Sequence, residues 1–343
     1  MTRSEAAPRI IAVEEAYGSE SWIREINEVL VPAGERPDQS YMSLLMSAPP
    51  IREGLIDLGE RLRIMDETGV DMHLLSLSAP GVQMHDAARA TELAAAYNDE
   101  LASMIARHPD RLTGLGTVAP QSPDHAAAEV ERIMGPLGLN GVIINSHTQG
   151  HYLDEPAFEP LLAALEASDA TLYLHPRIPP GQLVEVFTHY GMLAAMYGFA
   201  VEAGVHALRL ILSGAFDRFP RLKVVLGHAG EALPYWTYRF DNMYTKTWGI
   251  GGPLLGMRRL ELAPSEYLRR NFGITTSGMD DPEVLAFCLD RVGEENVMFA
   301  IDYPYEDSAH AVKFLNDAPL TERRRELVSH ANAERFFRIP PAA

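Results

Sequence analysis

At 343 residues the chain is long enough for two average domains or for one large barrel, so length alone decides nothing. A hydrophobic content of 47% suits a sizeable core, and a formal net charge of -18 argues against nucleic acid and anionic membrane surfaces as partners. The single cysteine, Cys288, excludes an internal disulfide and a cysteine-based zinc site.

A small anionic substrate stays compatible with that charge, because a metal ion and one or two arginines reverse the local field. No apolar run approaches the roughly 20 residues that span a bilayer. The opening MTRSEAAPRIIAVEEAYG lacks the long apolar core of a signal peptide. A soluble, cytoplasmic protein is expected.

In chain order, the first apolar β-branched run is RIIAVEEAY, at 9–17. DMHLLSLS follows at 71–78, RLTGLGTVA at 111–119, GVIINSHT at 141–148 and ATLYLHP at 170–176. LKVVLGHAG at 222–230, FGITTSG at 272–278 and VMFAIDYPY at 297–305 bring the strand candidates to eight. Between them lie stretches with apolar residues at helical spacing, at 88–108, 124–138, 155–169 and 281–293. Several open with Asp or Ser-Pro-Asp, as helix starts do. The strand runs are apolar nearly throughout, which suits parallel strands covered by helices. Eight such units predict one (β/α)8 TIM-type barrel spanning 1–343 as a single domain, with a doubly wound open sheet as the alternative. Residues 18–60 read as an irregular insertion after the first strand, and 177–205 as a second irregular segment. Both follow strands that end in candidate site residues, so both are expected to wall the pocket.

Chemistry in such a barrel collects at the C-terminal ends of strands. Four apolar runs end there in a metal-capable or acid–base side chain: Glu14 on the first, His175 on the fifth, His228 on the sixth and Asp302 on the eighth. Each has a plainer reading by itself. Glu14 suits a solvated strand end and His175 a hydrogen-bonded core histidine. His228 suits a helix cap with Glu231 in the first turn, and Asp302 a turn residue. Together, as one carboxylate and imidazole set, they point to a divalent metal such as Mn2+, Mg2+ or Zn2+. His147 and His151, after the fourth strand, are further candidates for the pocket lining. His73, His85, His108 and His330 read as structural.

The segments AVEEAY, INSHTQGHYLDE, LYLHPR, VVLGHAGEALPYWTYRFD, ITTSG and AIDYPYE resemble the amidohydrolase-related decarboxylases of aromatic hydroxy acids. That group includes the 5-carboxyvanillate, γ-resorcylate, 2,3-dihydroxybenzoate and salicylate decarboxylases and the aminocarboxymuconate semialdehyde decarboxylase. The resemblance runs in order from about Arg9 to about Phe337 and is nearest the 5-carboxyvanillate branch. It implies Glu14, His175 and Asp302 as ligands of one divalent ion, Mn2+ first and Zn2+ or Mg2+ as alternatives, with no organic cofactor. It implies His228 and Glu231 as an acid–base pair, Asp302 as proton donor, and Arg239 and Tyr305 with His228 as substrate contacts. It also implies an aromatic carboxylate substrate and a homodimer or homotetramer.

Two departures bear on the reaction. Many relatives place a histidine two residues after the first ligand, where this chain has Ala16, and the lysine of two-metal relatives is replaced at the end of the fourth strand by Asn145. Both favour an open one-metal site and non-oxidative loss of CO2 over the alternative, hydrolysis of a lactone or amide on the same scaffold. A binding-only barrel is the third reading. Arg52 is the candidate for a carboxylate-binding arginine within the insertion.

Overall fold

The computed structural model describes residues 8–181 and 183–341. Eight parallel strands follow one another around a single sheet: β1 (Ile11–Tyr17), β2 (Met72–Leu77), β3 (Leu112–Thr117), β4 (Val142–Asn145), β5 (Thr171–His175), β6 (Lys223–Leu226), β7 (Phe272–Thr275) and β8 (Val297–Met298). Each pairs with its successor, and backbone bonds from Val13 N to Phe299 O and from Ala16 N to Tyr303 O close the ring between the last segment and the first. This is the (β/α)8 barrel that the eight apolar runs predict. Alternate residues fill its interior, with Ile11, Val13, Leu74, Leu115, Ile143 and Tyr173 in one cluster that Phe336 and Phe337 join. The opposite parity packs against the surrounding helices.

The eighth strand is shorter than its apolar run. Beyond Met298 the chain stays buried, but Val328 O, the Thr276 hydroxyl and the Glu15 carboxylate take its amides at Phe299, Ala300, Ile301 and Tyr303. Side chains thus replace a strand ladder beside the site.

The insertion after β1 is helical rather than irregular. It forms α1 (Glu20–Glu28), α2 (Arg36–Met46), α3 (Pro49–Ile56) and α4 (Leu58–Thr68). Its prolines, which suggested broken structure, stand at the first positions of α2 and α3, where a missing N–H costs nothing. Ser19 and Asp57 cap α1 and α4 by accepting from Trp22 N and Glu60 N, and Gly69 ends α4 at a φ of 78°. Trp22, Ile26 and Met42 bury the inner face. The second irregular segment holds a short helical turn, Leu183–Phe187, before the long helix Gly198–Leu212.

A buried ionic group ties α2 to the barrel. The Arg177 guanidinium, fully buried just beyond β5, donates to Asp38 at 2.6 Å and to Glu35 at 2.5 Å. Asp38 also accepts from the Ile178 amide at 3.2 Å. Removing one member of such a group leaves uncompensated charge in the interior. Arg177→Met is therefore expected to destabilise the protein by about 3–5 kcal/mol. Chemical denaturation measures this, and a loss below about 1 kcal/mol, the level of an exposed pair, contradicts it.

Among the described residues, no helix is long and apolar enough to cross a membrane.

Candidate metal centre and pocket

The site begins with an irregularity in β1. Between Ala12 and Glu15 the strand carries one more residue than β2 opposite it, a bulge that re-aims the side chains beyond it. Glu14 thereby reaches the barrel mouth, 3% exposed. Its Oε2 accepts from the hydroxyls of Thr275 (2.9 Å), Tyr173 and Ser277. Its Oε1 is buried without a hydrogen-bond partner. Burial raises the Glu14 pKa, yet the His228 and His175 imidazoles and the Ser277 and Tyr173 hydroxyls outweigh it and hold this carboxyl below its usual range.

His175 ends β5. Its Nδ1 donates to Pro176 O at 2.7 Å, which leaves the Nε2 lone pair facing Glu14 Oε1 at 3.7 Å. Asp302 stands beyond β8 on left-handed backbone, at a φ of 75°. One ligand atom each from Glu14, His175 and Asp302 lie within 4.8 Å of one another. The orphaned oxygen, the directed imidazole and the mixed oxygen and nitrogen donors fit a divalent cation.

His228 opens a run of five left-handed residues, from His228 at a φ of 49° to Ala232 at 61°. Such backbone costs about 1–3 kcal/mol at each residue bearing a Cβ, and it is characteristic of functional sites. The turn presents the imidazole edge-on: Nδ1 bonds to Glu231 at 2.8 Å, while Nε2 lies 3.7 Å from Asp302 Oδ2. Burial works against the imidazolium, but Glu231, Glu14 and Asp302 together hold the His228 pKa well above its ordinary range. Gly227, just before it, is required: a Cβ there would come within 2.6 Å of Glu14 Oε1.

Above these groups opens a cavity of about 230 Å³. His175, His228 and Asp302 lie on its polar side, Met42, Leu45, Ala195 and Phe199 supply apolar wall, and Tyr305 and Ser78 bond to each other at 2.7 Å. Both irregular segments thus contribute wall, as expected of them. A wider recess of about 530 Å³, between α3, α4 and the segment 303–309, carries Glu53, Glu60 and Glu67 but none of His175, His228 or Asp302.

The structure brings Glu14, His175, His228, Glu231, Asp302 and Tyr305 together and leaves other candidates outside. Arg239 is exposed on the helix Leu233–Gly251 and does not line the cavity. Arg52 pairs with Glu20 at 2.8 Å, while its neighbour Ile51 faces the cavity. His147 is buried and bonds to Ile178 O at 2.9 Å, and His151 is exposed beside Glu155, so neither is pocket lining. Sequence reasoning missed Tyr173, Thr275 and Ser277, which grip Glu14. A signal for them existed. Tyr173 stands two residues before His175, and Thr275 and Ser277 alternate, as residues on one strand face do.

A family model described as amidohydrolase matches residues 52–339. The chain is 33% identical to a γ-resorcylate decarboxylase from Polaromonas sp., covering 96% of this chain and 98% of that one. The crystal structure of 5-carboxyvanillate decarboxylase from Sphingomonas paucimobilis superposes with a TM-score of 0.93 at 46% identity, covering 97% of this chain and 100% of that one. A second 5-carboxyvanillate decarboxylase, from Novosphingobium aromaticivorans, carries manganese and 4-hydroxy-3-methoxy-5-nitrobenzoic acid. It superposes with a TM-score of 0.91 at 38% identity, over 98% of each chain.

Proposed function

The chain belongs to the amidohydrolase family, and from that premise we propose that it is a divalent-metal-dependent, non-oxidative decarboxylase of a hydroxylated aromatic acid. The observation that carries this is the convergence of Glu14, His175 and Asp302 beneath an aromatic-sized cavity, with Glu14 Oε1 left without a protein partner. Asn145 at the end of β4 supports one metal rather than two.

Glu14, His175 and Asp302 hold the ion, which we take to be Mn2+. When bound, it supplies Lewis-acid charge for the substrate's carboxylate and an adjacent ring oxygen. Losing CO2 from an aromatic ring requires the carbon bearing the carboxylate to become tetrahedral. Asp302, having taken up a proton from solvent, delivers it to that carbon, so that a C–H bond forms and Asp302 is left as the carboxylate. The C–C bond then breaks, its electron pair returns to the ring, and CO2 leaves with no net oxidation or reduction. His228, kept charged by Glu231, stabilises negative charge on the ring oxygen and fixes its direction. Met42, Leu45 and Phe199 hold the ring over Asp302 and limit water.

The test is a panel of ortho-hydroxylated benzoates, including γ-resorcylate and 5-carboxyvanillate, given to Mn2+-loaded protein. CO2 in the headspace from at least one acid is expected. Turnover of lactones or amides, with no CO2 from any acid, overturns the reading.

A further inference from the structure

Glu15 is the second carboxylate of the Glu-Glu pair on β1, and the mechanism above gives it no task. It is fully buried, and unlike Glu14 it is not part of the group with His175 and Asp302 that could hold an ion. Its two oxygens go instead to the backbone on either side of Asp302: Oε1 accepts from Ile301 N at 3.0 Å and Oε2 from Tyr303 N at 3.2 Å. Asp302 is held between these bonds in left-handed backbone, at a φ of 75°, a conformation uncommon for a residue bearing a Cβ. Neighbouring bonds restrain the same turn, from Ala16 N to Tyr303 O and from Tyr305 N to Asp302 O, both at 2.8 Å. The buried Arg61 guanidinium stands behind this arrangement, donating to the Ala16 and Gly54 carbonyls and lying 4.5 Å over the Tyr303 ring.

We propose that Glu15 is a positioning residue for the reaction, a two-pronged acceptor that sets the strained backbone of Asp302 and so aims its carboxyl at both the metal and the ring carbon. The proposal rests on the functional reading above. Adjacent strand residues face opposite ways, and the β1 bulge sets which of the two glutamates turns inward: Glu14 as a ligand, with Glu15 directed to the Asp302 backbone as a clamp. Burial raises the Glu15 pKa to about 8, against the two amides and Arg61. The clamp holds in either protonation state, because a carboxyl hydroxyl oxygen still accepts. An amide nitrogen does not, so glutamine in this place turns an N–H toward an N–H and releases one side of the turn. Misplacement of a catalytic group by about 1 Å costs on the order of 10²-fold in rate.

The experiment is Glu15→Gln, examined in the Mn2+-loaded enzyme beside the wild type. Expected are an Mn2+ dissociation constant at least about tenfold weaker by calorimetry and, at saturating Mn2+, a kcat lower by about 30-fold or more, on the scale of a misplaced catalytic group. KM should stay within about threefold, because the cavity walls are untouched. A folded glutamine variant with wild-type Mn2+ affinity and kcat overturns the proposal, as does a rise in KM without a fall in kcat. Should the glutamine variant not fold, Glu15→Asp shortens the arm while keeping both oxygens. A kcat at least fivefold lower at unchanged KM then supports the clamp, and one within twofold overturns it. The metal affinity separates the two readings: wild-type protein that binds Mn2+ yet releases no CO2 sinks the decarboxylase and leaves the clamp to be judged by calorimetry.

Discussion

Asp302→Asn lowers kcat for CO2 release by about 10²–10⁴-fold, the range a positioned general acid contributes. The substitution is nearly isosteric and keeps one oxygen for the ion, so the fold and much of the metal affinity survive. What it removes is the acidic proton within reach of the ring. His228 does not take over, because its Nδ1 is committed to Glu231 and its Nε2 serves the ring oxygen rather than the ring carbon. The measurement is kcat at saturating Mn2+, with binding of a nitro-substituted hydroxybenzoate followed in parallel. Near-normal turnover assigns the proton to another group and removes the role given to Asp302.

Stripping the metal with EDTA removes activity altogether, and Mn2+ restores it. Without an ion, Glu14 and Asp302 are two carboxylates sharing a partly buried mouth with only the imidazoles between them, and Glu14 Oε1 has no partner. The substrate adds a third carboxylate, so binding as well as chemistry fails. A second readout does not depend on turnover. An ion that binds only the folded state stabilises it by RT ln(1 + [L]/Kd), about 2.7 kcal/mol at a hundredfold excess over Kd. The thermal midpoint should therefore fall on chelation and recover with Mn2+, and His175→Ala should abolish that recovery. Full activity in verified metal-free protein contradicts the metal assignment.

The barrel was legible because its signal is repetitive: eight apolar runs in register with helical patterns leave few other closed arrangements. The metal-facing residues were legible for a related reason, since apolar strands gain nothing in packing by ending in Glu, His or Asp. What stayed hidden is what periodicity does not encode. The helices between β1 and β2 were masked by prolines that mark helix starts rather than breaks, and the anchoring of α2 by Arg177 joins residues some 140 positions apart. The bulge in β1 left no sequence trace, so alternation along the strand does not show that Glu14 rather than Glu15 turns inward, or that Glu15 reaches the backbone beside Asp302. Arg239 shows the converse limit. A motif carries a residue type to a position, but the side chain's surroundings follow from the helix it stands on, and here that position is exposed.

The strain in the site is concentrated. His228 to Ala232 and Asp302 all lie in left-handed backbone, and the groups that impose it are buried: Glu15 on one side, Ser277 accepting from the His228 amide on the other. Glu14, gripped by hydroxyls from β5 and β7, stands between them. A site held this way is set before substrate arrives, which is what transfer of a proton to carbon needs.

The most direct test of the central claim is one incubation in D2O, with Mn2+-loaded protein and an acid that the panel identifies as a substrate. Protonation of the ring carbon predicts one CO2 released per product and one deuterium at the carbon that carried the carboxylate, read by proton NMR and mass spectrometry. Turnover without CO2, or CO2 release with no deuterium at that carbon, contradicts it.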